Sequence, residues 1–232
     1  MPTPRNVGFG SNAPTPEGFR QHRFTAPPGA TTVLLVRHGE SAPALPGQPF
    51  ALLDGHGDPE LDPVGVEQAE RVGERLAKER VDAIYVTTLR RTHETAAPLA
   101  TRLGITPIIE PDLREVFLGE WEGGALRMKA AAADPIFEEI FRQERWDVIP
   151  GAEPLDDFEA RTQRGLHRIV DAHPDGRVVV VVHGGVIGQL LHHVTGSRRF
   201  AFAGADNGSI SQIVITGERS VLRRYNDTSH LD

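Results

Sequence analysis

Two apolar runs constrain what this chain can fold into. Val178 to Val182 are five consecutive valines, followed by His183-Gly184-Gly185. Val33-Leu34-Leu35-Val36 is followed by Arg37-His38-Gly39-Glu40. A short apolar run without polar alternation reads as a strand buried on both faces. Glycine directly after it lets the backbone turn tightly or approach a ligand closely. Both runs therefore predict central strands whose carboxyl ends carry histidine. Those ends are where open α/β sheets bind ligands.

The segments between the runs alternate in type. Asp62-Pro63 gives a helix start, with Ala69, Val72 and Leu76 as its apolar stripe. Ala83 to Val86 and Thr106 to Glu110 read as strands. The helix with Ala96, Leu99 and Leu103 contains Pro98, so it is kinked there or begins only near Thr95. Leu113 to Gly123 is irregular. Ala125 to Glu144 reads as helix, Trp146 to Leu155 as loop, and a helix follows to about Ala172. Val186, Ile187, Leu190 and Leu191 mark the helix after His183. Ile210 to Ile215 and Val221 to Tyr225 read as strands joined at Thr216-Gly217. This order predicts an α/β fold of three layers, α/β/α, around a central, largely parallel sheet.

Residues 1–30 are rich in Pro, Gly and Thr and read as an N-terminal extension. Phe19, Phe24 and Pro27-Pro28 are its candidate contacts, to the same domain or to a neighbouring chain. Residues 31–232 read as one domain, with a lid-like helical insertion at about 124–157. A length of 232 residues suffices for its core. Net charge of −7 argues against a nucleic-acid surface. There is no run of about 18 apolar residues to span a membrane. The N-terminus lacks a signal-peptide core, which predicts a cytoplasmic protein. With no cysteine and no His–carboxylate ligand set in view, no metal or other cofactor is expected. A homodimer stays open.

Arg beside His suits a phosphate group. The guanidinium offers a fork of donors to phosphate oxygens, and a neutral imidazole can attack phosphorus. Surface turns that hold Arg and His by chance are the bland alternative, and the repetition of strand-His-Gly counts against it.

Taken together, Arg37-His38-Gly39-Glu40, the segment Leu89 to Ala96, Leu113-Arg114-Glu115 with Gly119 to Gly123, and His183-Gly184 resemble the histidine phosphatase superfamily, in its phosphoglycerate-mutase-like branch. Leu61, Gly65 and Gln68-Ala69 are similar to the opening of that branch's first helix. Asn207-Gly208-Ser209 and Asn226-Asp227 with His230-Leu231 are similar to its C-terminal strands. The resemblance runs from about residue 31 to the C-terminus. It implies a metal-independent phosphatase of the histidine acid type, hydrolysing a small phosphate monoester. His38 would take up the phosphoryl group, and Glu115 would be general acid and base. Arg37, Arg91 and a protonated His183 would hold the phosphate, with Ser41 and Gly184 as further contacts. Arg90 rivals Arg91, and Glu120 and Glu122 rival Glu115. Glu122 reads better as a structural partner near Trp121. His56 reads first as a plain loop residue and second as one bordering the site, His192 and His193 read as solvated, and Asn207 as a turn residue. Two departures stand out. Ala44 occupies a position where the branch often has Asn, and Asp54 one where Gln is common. The stretch between Glu115 and His183 is shorter than in mutases, which favours a phosphatase. The alternatives are mutase-type phosphoryl transfer and a phosphate-ester binding protein with little turnover.

Overall fold

The computed structural model describes residues 21–232. The two apolar runs become neighbouring strands, β1 (Thr31–Arg37) and the valine strand (Arg177–Val182), paired in parallel with Arg37 opposite Val182. The five valines of that strand alternate between two cores. Val178, Val180 and Val182 enter one, Val179 and Val181 the other. All five valines are at most 1% exposed, as strands covered on both faces require.

In chain order the elements after β1 are a small hairpin of β2 (Leu52–Leu53) and β3 (His56–Gly57), then α1 (Pro63–Leu76), β4 (Ala83–Val86), α2 (Arg90–Leu103) and β5 (Ile108–Ile109). Next come α3 (Ala125–Ala131), α4 (Pro135–Gln143), α5 (Leu155–Ala172), β6 as the valine strand, α6 (Gly184–Thr195), β7 (Ile210–Thr216) and β8 (Arg219–Asp227). The main sheet runs β5-β4-β6-β1-β7-β8. The first four strands are mutually parallel; β7 and β8 pair antiparallel at the other edge. Val72, Leu76, Ala96 and Leu99 from α1 and α2 cover one face. Phe158, Leu166 and Ile169 from α5, with Val186, Ile187, Leu190 and Leu191 from α6, cover the other. This is the three-layer arrangement the sequence predicts.

Local chemistry explains the element ends. The Asp62 carboxylate accepts from Gly65 N–H at 2.7 Å and caps α1, with Pro63 in the first turn. Such a cap contributes about 1 kcal/mol. A second feature fixes where α1 begins. A Cβ on Gly65 would lie 1.9 Å from Glu40 O, so the helix start presses directly on the loop after β1.

Three expectations need correction. Helix α2 starts at Arg90 and runs through Pro98, so the later start at Thr95 does not hold. The expected helix from Ala125 to Glu144 is two helices. Asp134, whose side chain accepts from Ile136 N–H, and Pro135 end the first pattern and start the second. The strand expected over Thr106 to Glu110 shrinks to Ile108–Ile109, an edge strand with both side chains about half exposed. Of the N-terminal contacts, Phe19 lies outside the described residues. Phe24 lies under the Arg223 guanidinium, 4.1 Å from its ring centre.

Candidate active site

The parallel pairing of β1 and β6 puts the next residues, His38 and His183, side by side. Their ring centres are 5.2 Å apart. Arg91 arrives from the start of α2, after β4, and Glu115 from the turn after β5. Four carboxyl ends of parallel strands thus supply Arg37, His38, Arg91, Glu115 and His183. All but His183 line a cavity of about 160 Å³. His183 is fully enclosed behind that wall, with Nε2 3.0 Å from Thr87 Oγ1 and Nδ1 buried without a partner.

His38 is held by its neighbours. Its Nδ1 lies 2.7 Å from Gly39 O, an acceptor only, so Nδ1 carries the proton. Its Nε2 accepts from Arg91 Nε at 3.2 Å. Asn207 Nδ2 donates to His38 O, and Thr95 Oγ1 accepts from Gly39 N–H. Burial, then the charges of Arg91 and Arg37, hold His38 well below the usual histidine range. It is therefore neutral, with Nε2 as its lone-pair nitrogen. The same causes keep His183 neutral. The expectation of a protonated His183 concerns the phosphate-bound protein; without the anion, an imidazolium there would stand beside two guanidiniums.

Glu115 moves the other way. Burial raises its carboxyl above the ordinary value, against the lowering effects of the Val116 and Gly185 N–H groups and of Arg91 and Arg37. Gly185 has to be glycine for this approach, because a Cβ would sit 2.5 Å from Glu115 Oε1. Arg161 fixes the segment from below. It donates to the carbonyls of Asp112, Arg114 and Glu115, and pairs with Glu153 at 2.6 Å.

The rivals separate. Arg90 is exposed and pairs with Glu60 and Glu94, while Arg91 is 8% exposed in the cavity wall. Glu120 is exposed. Glu122 lines the cavity but spends its oxygens on the N–H groups of Gly57 and Leu118. Ser41 is not on the cavity wall; its hydroxyl accepts from Arg127 Nη2 at 2.6 Å. Gly184 stands next to Arg37, on the wall of a neighbouring cavity. His56 takes the second of its two readings: it is 7% exposed, borders the cavity, and its Nε2 is buried without a partner.

Arg127 is the residue that sequence reasoning missed. It reaches over from α3, donates to Ala42 O at 2.8 Å, and lines the cavity with Arg37 and Arg91. Three guanidiniums around one small cavity make an anion site. Arg37 Nε, His56 Nε2 and His183 Nδ1, all beside it, are buried and unpaired. Among the described residues no group of three or more His, Asp or Glu is placed to hold a metal ion.

The family model for the histidine phosphatase superfamily (branch 1) matches residues 33–228. The chain belongs to this superfamily. Among its curated relatives is phosphoglycerate mutase-like protein 4 of Arabidopsis thaliana, 35% identical over 205 residues, covering 86% of each chain. The metal-independent phosphoserine phosphatase of the same plant is 31% identical, covering 87% of this chain and 83% of the relative. Among solved histidine phosphatase relatives, a mycobacterial glucosyl-3-phosphoglycerate phosphatase superposes with a TM-score of 0.70 at 28% identity, over 86% of this chain and all of that one.

Proposed function

We propose that the protein is a metal-independent phosphatase of small phosphate monoesters, acting through a phosphohistidine on His38. The observation that carries this reading is the meeting of His38, whose Nδ1–H donates to Gly39 O and leaves Nε2 unprotonated, with a Glu115 carboxyl whose proton affinity burial raises, in one arginine-lined cavity. Relatives with phosphatase names support it.

The steps follow from that pair. A phosphate monoester carries close to two negative charges near neutral pH. Arg37, Arg91 and Arg127 would neutralise it and hold the phosphoryl group in line with His38 Nε2. His38 Nε2 forms the bond to phosphorus as the ester oxygen leaves. Glu115 gives its proton to that oxygen. The Glu115 carboxylate then takes a proton from water, whose oxygen attacks phosphorus and releases His38. Preorganised charge of this kind usually contributes most of the rate enhancement in phosphoryl transfer. With the dianion beside it, His183 would gain the counter-charge it lacks in the free protein and could take up a proton.

The test is rapid quenching of enzyme stripped with EDTA. Wild type should accumulate acid-labile phosphate and release inorganic phosphate, and His38→Ala should do neither. Turnover by His38→Ala, or activity that disappears with chelation and returns with added metal, would remove this reading. Conversion of 3-phosphoglycerate to 2-phosphoglycerate without phosphate release would replace it with a mutase.

A further inference from the structure

A second cavity, of about 300 Å³, opens beside the first. Arg37, Glu115 and Leu126 line both. The first is ringed by guanidiniums. The second is walled by Phe137, Phe141, Trp146 and Phe200. These rings form a chain: Phe137 to Phe141 at 5.3 Å between centres, Phe141 to Phe200 at 5.7 Å, and Phe200 to Trp146 at 5.3 Å. Gly184, Gly185 and Gly188 of α6 add a surface without side chains.

The junction decides the orientation of a substrate. Glu115 is the proton donor to the leaving oxygen, so that oxygen lies where the cavities meet. The phosphoryl group occupies the charged side, and whatever the oxygen carries points into the aromatic side. We propose that the substrate is the phosphate monoester of an apolar, ring-bearing alcohol, whose ring packs among Phe141, Trp146 and Phe200. This rests on the phosphatase reading above.

Charge argues against polar alternatives of similar size. An amino-acid side such as that of phosphoserine brings a carboxylate, which Arg37 and Arg199 can pair, and an ammonium, which they repel. Among the described residues, the only carboxyl on the aromatic side is that of Glu115, which burial shifts toward its neutral form. A quaternary ammonium favours aromatic faces, but this wall also carries Arg37 and Arg199. Burying an unpaired charge there is costly, whereas an uncharged ring loses only its hydration.

The experiment compares four esters that all leave as alkyl alcohols: 2-(2-naphthyl)ethyl phosphate, ethyl phosphate, phosphoserine and phosphocholine. Chemistry at phosphorus is then similar, and differences in kcat/KM report the second cavity. The naphthylethyl ester should exceed ethyl phosphate by at least about tenfold, since an apolar ring gains that much on burial. Phe200→Ala and Phe141→Ala should raise its KM and leave inhibition by inorganic phosphate unchanged, which reports an intact charged cavity. Phe141 is half exposed, so its truncation is the safer variant for folding. If phosphoserine or phosphocholine gives the highest kcat/KM, or the naphthylethyl and ethyl esters are equal, the ring-bearing class is overturned while the phosphatase reading stands. If no ester is turned over, the phosphatase reading is the one that fails. Calorimetry with 2-(2-naphthyl)ethanol then decides the cavity on its own: binding in wild type that is lost in Phe200→Ala supports it, and no binding overturns it.

Discussion

At the scale of single residues, the site divides its labour by environment. His38 and Glu115 share one cavity, yet burial pushes their proton affinities in opposite senses because it disfavours charge on each. On the proposed mechanism, a histidine held in its base form attacks beside a carboxyl whose proton affinity is raised. Glu115→Gln keeps the shape and removes the proton. An alkyl alcohol leaves poorly and needs that proton; nitrophenolate needs it much less. General acid catalysis typically supplies about 10²–10⁴-fold. The variant should therefore lose a factor in that range in single-turnover phosphorylation by alkyl phosphates, and far less with nitrophenyl phosphate. Equal losses on both would assign the acid elsewhere, and the same measurement on Glu122→Gln would show whether the neighbouring carboxylate serves.

At the scale of elements, the proposed acid is only as well placed as the turn that carries it. Three backbone carbonyls of that turn converge on Arg161 from α5. Arg161→Met would leave the three carbonyls without this donor and Glu153 with only the Phe117 N–H, at a cost of roughly 2–4 kcal/mol in stability. Since Arg161 acts through Glu115, alkyl phosphates should lose more kcat than nitrophenyl phosphate. A fall in melting temperature with equal losses on both esters would make Arg161 a structural residue only. Elements also show what could be read beforehand. The strands β1 and β6 were legible because a buried parallel strand has an unbroken apolar pattern, and their histidines follow directly. Arg127 was not legible: Ala-Leu-Arg-Met-Lys reads as any half-exposed helix, and its role exists only because α3 folds back over the loop after β1. The β2–β3 hairpin, two residues per strand, has too short a pattern to see, and the place of His56 at the cavity was legible only as an alternative to a plain loop residue. The break at Asp134-Pro135 did carry a signal, a cap followed by proline, which the longer apolar pattern outweighed.

At the scale of the whole molecule, holding two neutral histidines inside the fold couples stability to pH. His38 and His183 have folded-state proton affinities well below the unfolded value near 6.5. Above that value both states are neutral and nothing is lost. As pH falls below it, the unfolded chain takes up protons that the folded chain refuses, so stability declines. Each group contributes up to about 1.4 kcal/mol per pH unit in that window. Glu115 works in the opposite sense. Its raised folded-state affinity costs stability at neutral pH, and acidification through that value relieves the cost. The depressed carboxylates, among them Asp112 and Asp147, begin to matter only near pH 4, where their unfolded forms titrate. His56, His193 and His230, lowered less strongly, add smaller contributions of the same sign. The expected outcome is a falling urea midpoint between pH 7 and pH 5 in wild type, and a shallower fall in His38→Asn/His183→Asn, measured in the absence of phosphate. Parallel curves for the two proteins would mean that the pair is protonated in the folded state, and with it the neutral nucleophile would be lost.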